Sequence, residues 1–434
     1  MAPARHRAAG AGARLAAAAR LAAAALLACG AALAKPVTVR NDVPRLDVNG
    51  DIIDCHSGNI LAVNGLFYMY GEHYGNSSGM GPSPPQMFPK IVVYTSPDFS
   101  AWTFRGYVLS DWPTKPFGTF YTPWAVYNKA SSTFVLWFNA YLNGCCEGSW
   151  GVATSTDGLN FTLVSLDVKP TYSSVDCNSV MVDDDGTAYN LYSSLDNDHR
   201  QSIDQLAANY SAVVPGRDAG LFPDRYVEGG VLFKRGDIYY ATAGSCCCFC
   251  RGGAGVVVYQ ARNIRGPWAR QALDVNCNRT DAGDICGAYG DRNSDPIRVK
   301  AQGIGLSLIP LADGTTAYLW QGERWLSGAD NNPACEDACG CTDEPPGYIK
   351  GHDFSYWIPL QFDATGNVLQ FDEFVDSFTL DVAEGFGAAH LNPRDGAAGD
   401  AAPLGDAAAA PAAALLADAP APPALARGEP QGAL

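Results

Sequence analysis

Five short segments of the chain place polar side chains directly before or within an apolar, strand-like run. They supply Asp54 and His56, Tyr121 with Thr122 and Trp124, Asp176 and Asn178, Glu228, and Gln302. Carboxylates beside apolar strands are costly to bury, so the positions of Asp176 and Glu228 need a reason. One reason is satisfaction of a buried acid by backbone N–H groups. The other is chemistry that requires the acids to be there.

A pair of carboxyl groups facing one cleft is the arrangement that glycoside hydrolysis requires. One group must be protonated near neutral pH to deliver a proton to the leaving oxygen. A neighbouring carboxylate that stays ionised raises the pKa of that acid by like-charge repulsion. Four aromatic residues near the polar segments either stack on sugar faces or pack the fold: Tyr121, Trp124, Trp325 and Trp357.

A recurring hairpin pattern predicts the scaffold that positions these side chains. An apolar strand, a tight turn and an aromatic-rich strand occur at 59–71, 125–138, 179–194, 229–244 and 306–322, and further strand pairs follow at 91–110, 150–165, 255–273 and 356–374. The turns Asn64-Gly65, Asp185-Gly186, Arg235-Gly236 and Asp313-Gly314 suit hairpins that need positive φ. Five units of four strands predict an all-β, five-bladed β-propeller, whose innermost strands line one channel. A pair of β-sandwiches is the alternative.

The first 34 residues have the pattern of a cleaved secretory signal peptide. A basic segment precedes an Ala-rich apolar run that ends in Ala32-Leu33-Ala34. The rival interpretation is a bacterial lipoprotein signal, because Leu26-Leu27-Ala28-Cys29 resembles a lipobox. The signal predicts a secreted, extracellular protein.

The segment 391–434 is composed of Ala, Pro, Gly and Asp with almost no aromatic residue. Such a segment buries too little apolar surface to offset its ordering entropy, so we predict a disordered tail. The folded propeller domain is therefore expected at residues 35–390.

Composition narrows the range of partners. The formal net charge is −16, and removal of the four arginines in residues 1–34 brings it to about −20. Nucleic acid and anionic membranes are therefore poor partners, and a polysaccharide or oligosaccharide fits better. We predict no cofactor, and the oligomeric state is open because the cysteines that remain after signal removal are odd in number.

Of the 14 cysteines, all but Cys29 lie beyond the signal. In a secreted chain they are expected to form mostly disulfides. The run Ser245-Cys-Cys-Cys-Phe-Cys250 is expected to bond to Cys145, Cys146 or Cys177, and a metal site is the rival interpretation. Asparagines 76, 160, 209 and 278 lie in N-x-S/T sequons, which is consistent with a eukaryotic secretory route.

The order and spacing of several motifs resemble glycoside hydrolase family 43, and within it the relatives that cleave β-1,3-galactan. The motifs are HSGNILAVNGLFYMYGEHYG (56–75), VYTSPDFSAWTFRGYVLS (93–110), DCNSVMVDDDGTAYNLYSS (176–194), RYVEGGVLFKRGDIYYATAGS (225–245), AQGIGLSLIPL (301–311), QGERW (321–325) and YWIPLQFD (356–363). The resemblance extends from about Asp47 to Leu380. It implies a five-bladed propeller and an inverting glycosidase.

The resemblance also implies roles for individual residues. Glu228 is expected to be the general acid, and Asp176 to tune and orient it. The base is expected to be Gln302, acting as an imidic tautomer, with Asp54 as the other candidate. The expected substrate contacts are His56, Tyr121, Trp124, Asn178, Glu323 and Trp325.

One departure from the family pattern motivates a second hypothesis. The galactan-cleaving relatives open the second blade with Glu-Arg-Pro, whereas this chain has Tyr121-Thr122-Pro123. The loss of that acid leaves open a catalytically inactive, glycan-binding propeller. A third hypothesis places a divalent ion between His56, Asp54 and Asp176.

Overall fold

The computed structural model describes residues 34–76, 90–109, 119–141, 148–245, 249, 251–279, 285–286, 297–329 and 349–386. Residues 1–33 and 387–434, and with them most of the expected signal peptide and the whole expected tail, lie outside this part. Within it the chain forms β-strands and two short 3-10 helices, Leu195–Asn197 and Lys350–His352. No helix among the described residues is long and apolar enough to cross a membrane.

Five antiparallel sheets follow one another along the chain, as the hairpin repeat predicts. The first three blades have four strands each: β2 His56–Val63, β3 Leu66–His73, β4 Lys90–Ser96 and β5 Thr103–Tyr107; β6 Thr119–Asn128, β7 Thr133–Tyr141, β8 Gly148–Ser155 and β9 Thr162–Val168; β10 Val175–Val182, β11 Ala188–Ser194, β12 Arg200–Leu206 and β13 Val213–Asp218. The five-bladed β-propeller is thus confirmed, and the two-sandwich alternative is wrong.

The fourth and fifth blades depart from the four-strand pattern. In the fourth blade the inner strand is split into β14 Val227–Glu228 and β15 Leu232–Arg235, and both pieces pair with β16 Ile238–Ser245, which is followed by β17 Val256–Ala261 and β18 Ala269–Arg270. The fifth blade has only β19 Gln302–Pro310, β20 Thr316–Arg324 and β21 Phe354–Pro359 among the described residues. Three of the four strands expected for this blade are therefore found in the described part of the chain.

A separate strand pair joins the two ends of the propeller. Strand β1, Ala34–Arg40, pairs antiparallel with β22, Ser377–Ala383. Their buried side chains Val37, Val39, Leu380 and Val382 share one hydrophobic cluster with residues of the first and fifth blades. This pair packs against the seam between the first and last blades and closes the ring.

Aromatic residues fill the space between neighbouring blades. Trp137 packs edge-on against Trp150 with 5.3 Å between ring centroids, and Trp150 packs edge-on against Tyr192 of the third blade at 4.9 Å. All three are fully buried. Burying one large apolar side chain stabilises a fold by roughly 1.5–3 kcal/mol, so such inter-blade contacts account for much of the stability of the ring.

Candidate active site

A β-bulge occurs near the start of the inner strand in four blades. The pairing register shifts between His56 and Asn59, Tyr121 and Trp124, Asp176 and Ser179, and Gly303 and Gly305. In the fourth blade the inner strand has a break after Glu228 instead of a bulge. The residue after the site side chain has positive φ at Ser57, Thr122, Cys177 and Gly229. Bulges re-aim side chains, so each blade directs one residue toward the same mouth of the channel.

Gly229 allows the fourth and fifth blades to approach each other closely. Its φ is +62°, and a Cβ at this position would lie 2.1 Å from the carbonyl oxygen of Gly303. Only glycine fits both the backbone conformation and this contact. The approach brings the residues before these glycines, Glu228 and Gln302, to hydrogen-bond distance, with 2.9 Å between Gln302 Nε2 and Glu228 Oε1.

Asp176, His199 and Glu228 form a compact group that we call the acid cluster. One ligand-type atom of each residue lies within 4.8 Å of the other two. Glu228 is buried, with 1% of its surface exposed, whereas Asp176 is partly exposed. The cluster therefore joins a buried carboxyl group to a second one that keeps contact with solvent.

Asp176 is oriented by neighbours on its own and the preceding blade. Its Oδ1 accepts hydrogen bonds from Tyr141 OH at 2.9 Å, Asn139 Nδ2 at 3.2 Å and the backbone N–H of Cys177 at 2.9 Å. The side chain of Asp176 is thus fixed in orientation beside Glu228.

Gln302 connects the acid cluster to an aromatic wall. Its Nε2 donates to Glu228, and its Oε1 accepts from the indole N–H of Trp325 at 2.6 Å and from the backbone N–H of Phe249 at 3.2 Å. These contacts fix the orientation of the amide, with nitrogen toward Glu228 and oxygen toward Trp325.

The aromatic wall consists of Trp325, Tyr74, Phe249 and Tyr121. Phe249 packs edge-on against Trp325 with centroids 4.9 Å apart, and Trp325 packs edge-on against Tyr74 at 6.0 Å. The ammonium of Lys350, which is fully buried, lies 3.2 Å from the Phe249 centroid and 4.1 Å from that of Tyr74. Desolvated cation–π contacts of this kind are worth about 2 kcal/mol or more.

Next to the aromatic wall, where the His56 ring lies 5.5 Å from that of Tyr74 and 5.9 Å from that of Trp325, Asp54, His56 and Glu323 form a group that we call the first-blade anchor. His56 Nδ1 lies 2.9 Å from Glu323 Oε2, and His56 Nε2 lies 3.4 Å from Asp54 Oδ1. Burial lowers the pKa of His56, but Glu323 and Asp54 outweigh burial and hold it well above its ordinary value. The imidazolium is therefore the stable form between two carboxylates.

The carboxylates of the first-blade anchor also bind backbone N–H groups. Asp54 accepts from the N–H of Tyr74 at 3.0 Å and of Gly75 at 2.6 Å, and its Oδ2 lies 3.2 Å from His73 Nδ1. Burial raises the pKa of Asp54, but His56, His73 and these hydrogen bonds hold it below the ordinary value. Glu323 accepts from the N–H of Ser57 at 2.9 Å. Both carboxylates are used to hold the fold.

Two residues of the mouth did not emerge from the sequence. His199 lies in the connection between β11 and β12, with φ of 51°, and not in a segment that begins an inner strand. Glu72 ends the apolar strand β3, and its carboxylate accepts hydrogen bonds from Tyr74 OH and, at 2.6 Å, the N–H of Thr122. Burial raises the pKa of Glu72 to about 7. The sequence could have indicated Glu72, because it is an acid within an apolar strand. No pattern in the sequence indicated His199.

Two of the expected substrate contacts lie elsewhere or are otherwise engaged. Trp124 is 4% exposed, belongs to the main hydrophobic cluster and donates its indole N–H to Val180 O at 2.8 Å, so it packs the core. Asn178 is 2% exposed and donates to both oxygens of Thr122. Trp357 is likewise a core residue, beneath the guanidinium of Arg45. His56, Glu323 and Trp325 are also buried, whereas Tyr121 is partly exposed, and substrate contact by these four residues stays a prediction.

The cysteine and metal predictions are partly answered. Cys277 and Cys286 form a disulfide, whereas Cys55 and Cys177 are buried free thiols, so Cys177 is not the partner of the cysteine run. Cys145, Cys146 and the cysteines of that run lie outside the described residues. The group His56, Asp54 and Asp176 does not come together as one set of ligands in the described part of the chain, where the candidate group is instead the acid cluster.

Comparisons with known proteins identify the class to which this fold and mouth belong. The family description "Glycosyl hydrolases family 43" matches residues 55–285, more than half of the chain. The protein is therefore a glycoside hydrolase, and it belongs to family 43. A search of curated protein sequences gave no match.

Solved structures agree on the fold. The chain is similar to an exo-β-1,3-galactanase from Clostridium thermocellum, with TM-score 0.62 and 19% identity over 80% of this chain and 68% of that one. It is also similar to an exo-β-1,3-galactanase from Phanerochaete chrysosporium, solved as a glutamate-to-alanine variant with β-1,3-galactotriose, with TM-score 0.60 and 21% identity over 81% and 71%. At these identities the likeness concerns the fold.

Proposed function

We propose that the protein is a secreted glycosidase that hydrolyses a galactan by an inverting, single-displacement reaction, with arabinan- or xylan-like chains as the other substrate class. The observation that carries this proposal is the acid cluster, in which buried Glu228 lies within 4.8 Å of Asp176 while Gln302 donates to it. Secretion is supported by the signal-like residues 1–34 and by the Cys277–Cys286 disulfide.

Glu228 is the general acid in this mechanism. Because Glu228 is buried and lies beside a second carboxyl group, its neutral form is favoured, and a neutral carboxyl group can donate a proton to the glycosidic oxygen. Gln302 fixes the direction of the carboxyl group through its hydrogen bond to Oε1. His199 completes the cluster, with a ring nitrogen within 4.8 Å of both carboxyl groups.

Asp176 is not the base, because it lies too close to the acid. An inverting enzyme separates its two carboxyl groups by about 6.5–9.5 Å to leave room for a water molecule, and even a retaining enzyme keeps about 5–5.5 Å. Asp176 and Glu228 approach within 4.8 Å. Its role is therefore to set the protonation of Glu228.

The two candidate bases are in different situations. Asp54 has both oxygens engaged with His56, His73 and two backbone N–H groups, so it has little capacity left to activate water. Gln302 Nε2 lies 2.9 Å from Glu228 Oε1, well inside the separation of about 6.5–9.5 Å that an inverting reaction needs between acid and base. Gln302 therefore acts as the base only in a complex in which the sugar has separated the two side chains and a water lies on the opposite face. We retain Gln302 as the base.

A galactan is the preferred substrate because the family match and the sequence motifs agree with the names of the structural neighbours, which include galactanases. The aromatic wall beside Gln302 offers apolar surface for sugar rings. Since the chain is strongly acidic overall, the reacting part of the glycan is expected to be neutral.

The test is hydrolysis of β-1,3-galactan and of aryl β-galactosides, arabinosides and xylosides by the purified protein, with NMR detection of the anomer first released. We expect galactose released as the α-anomer, and loss of kcat by about 10²–10⁴-fold in Glu228→Gln with sugar binding retained. Release of the β-anomer contradicts inversion, and full activity of Glu228→Gln contradicts the assignment of the acid.

One observation favours a second candidate function, a glycan-binding propeller without turnover. Phe249 and Lys350 pack against Trp325 next to Gln302, and Tyr121 stands where the resemblance leads one to expect an acid. Sugar binding without release of any product by the wild-type protein, and equal affinity in Glu228→Gln, would favour this second function.

A further inference from the structure

A cleft of about 480 Å³ opens beside the aromatic wall, at the seam between the fourth and fifth blades. Its polar lining includes three cations and one carboxylate, Arg251, Lys300, Arg324 and Asp42. Phe354, Phe374 and Trp325 line its apolar side. The cleft is thus a concave surface of mixed character, with a few charged groups over aromatic rings.

The cations of this cleft are not neutralised by the acids around them. Arg251, Lys300 and Arg324 form no ion pair with any carboxylate of the described residues. Asp42 is bound to Arg40 through its side chain. Three positive charges therefore gather in one cleft, although the chain as a whole carries a net charge of −16.

The carboxylate of Asp353 is buried close by, and its charge favours the protonated form of Arg324. Its oxygens accept hydrogen bonds from the backbone N–H of Leu326, Ser327 and Gly328 at 3.0, 2.8 and 3.0 Å. Asp353 thereby fixes the loop of Leu326, Ser327 and Gly328, which lines the cleft.

Arg324 is held in place as a rigid recognition group. Its guanidinium lies 4.6 Å from the ring centroid of Phe374, and Nη1 donates to Asn41 O at 3.4 Å. Burial lowers the pKa of Arg324, while Tyr356 and Asp353 partly oppose this shift and the charge of Arg251 adds to it. These two guanidinium groups are close enough to repel each other, and an anion placed between them relieves that repulsion.

The cleft is connected to the acid by direct contacts. Trp325 lines the cleft and donates its indole N–H to Gln302 Oε1 at 2.6 Å, and Gln302 donates to Glu228 at 2.9 Å. The cleft and the acid are thus linked through Trp325 and Gln302 by two hydrogen bonds.

We propose that this cleft is a subsite for an anionic substituent, a uronic acid carboxylate or a sulfate ester, on the same glycan whose glycosidic bond lies at Glu228. The inference rests on the proposed function for the identity of the glycan. Guanidinium groups bind carboxylate and sulfate oxygens through paired hydrogen bonds, and Lys300 adds a mobile charge at the rim.

Calorimetric binding to the Glu228→Gln variant tests this subsite without turnover. The probes are β-1,3-galactotriose, the same trisaccharide bearing a glucuronic acid residue, and its O-sulfated form. We expect at least one acidic form to bind about tenfold or more tightly than the neutral form at about 0.02 M sodium chloride, and the preference to shrink at about 0.3 M because salt screens the cations. Whichever acidic form binds more tightly identifies the natural substituent.

The variant Arg251→Gln with Lys300→Gln, made in the same background, is expected to lose most of this preference while binding the neutral trisaccharide unchanged. Arg217→Gln, which removes an exposed cation from the outer strand of the third blade, is the matched control and should keep the preference. Equal affinity for neutral and acidic probes, or a preference that survives the double substitution, overturns the subsite.

Failure of this inference can be told apart from failure of the proposed function. Hydrolysis of neutral β-1,3-galactotriose by the wild-type protein tests the function alone. Hydrolysis without any acidic preference overturns only the subsite. Acidic preference without hydrolysis overturns only the catalytic proposal.

Discussion

The acid cluster and the first-blade anchor occupy similar places in the propeller but use their carboxylates differently. Asp176 and His56 both precede a β-bulge at the start of an inner strand. In the first-blade anchor every carboxylate binds His56 or a backbone N–H, whereas in the acid cluster Glu228 lies within 4.8 Å of another carboxylate. The repeat sets where a side chain points, and its neighbours decide whether it holds the fold or takes part in chemistry.

Asp54→Asn tests whether the first-blade anchor holds the fold, and it has the largest expected effect. Removing one charge from a buried, paired group typically costs about 3–5 kcal/mol, because the partner charge stays buried. We therefore expect the free energy of unfolding to fall by that amount in chemical denaturation at pH 7. Asp51→Asn, at an exposed carboxylate nearby, is the control and should change stability by less than about 0.5 kcal/mol. Unchanged stability with lost hydrolysis would instead make Asp54 a catalytic residue.

Glu72→Gln tests the buried acid that faces the second blade. The pKa of Glu72 rises from 4.5 to about 7 on folding, so between these pH values the unfolded chain loses a proton that the folded chain keeps. Titration of Glu72 therefore leaves the free energy of unfolding of the wild-type protein unchanged below pH 4.5 and lowers it by about 3 kcal/mol as the pH rises from 4.5 to about 7. The variant lacks this decrease.

Denaturation curves at pH 4.5 and pH 7.5 would measure the effect of Glu72→Gln. Glu384→Gln, at an exposed glutamate, is the matched control and should keep the wild-type pH dependence. If Glu72→Gln keeps it as well, the carboxyl group is charged in the folded protein.

Asp176→Asn tests whether the acid cluster takes part in catalysis. Removing the negative charge next to Glu228 favours its ionised form, so the high-pH limit of kcat is expected to move to lower pH and kcat at pH 7 to fall about tenfold to a hundredfold. The full pH profile distinguishes this effect from misfolding. Asp196→Asn, an exposed carboxylate on the same blade, should leave the profile unchanged. A uniform loss at every pH is the result that contradicts charge tuning.

The smallest expected effect belongs to Trp124→Phe. The change removes the hydrogen bond to Val180 O and some packing, so we expect a loss of about 1–2 kcal/mol in stability with KM unchanged. Trp325→Phe, which removes the hydrogen bond to Gln302, is expected to lower kcat instead. An increase in KM for Trp124→Phe at constant stability would return this residue to the substrate site.

The hairpin repeat made the propeller predictable from the sequence. At Asn64-Gly65 both turn residues have positive φ, as the dipeptide indicates, whereas at Asp185-Gly186 only the glycine does. The three-stranded last blade was not predictable, because 356–374 alternates like a strand pair but forms only β21 and an isolated bridge between Phe362 and Val368. The alternation of apolar and polar residues within a segment does not indicate whether a neighbouring strand is available to pair with it.

The site was predictable where the repeat places it. Glu228, Asp176 and Gln302 were found because they begin inner strands, and the structure brings them together at one mouth. Trp124 shares that segment but points into the core, because the bulge between Tyr121 and Trp124 changes the direction of the side chains. His199 lies in the connection between the two middle strands of the third blade, and only the fold reveals that it is close to Asp176 and Glu228.

The closing strand pair has a consequence for how the chain is made. Thr38 and Thr379 face each other across β1 and β22, at a sequence separation of 341. A ribosome must therefore synthesise nearly the whole propeller before the first strand finds its partner. Until then, the first and fifth blades expose the hydrophobic cluster that this pair covers, and an incomplete ring of this kind is the species most open to association with other chains.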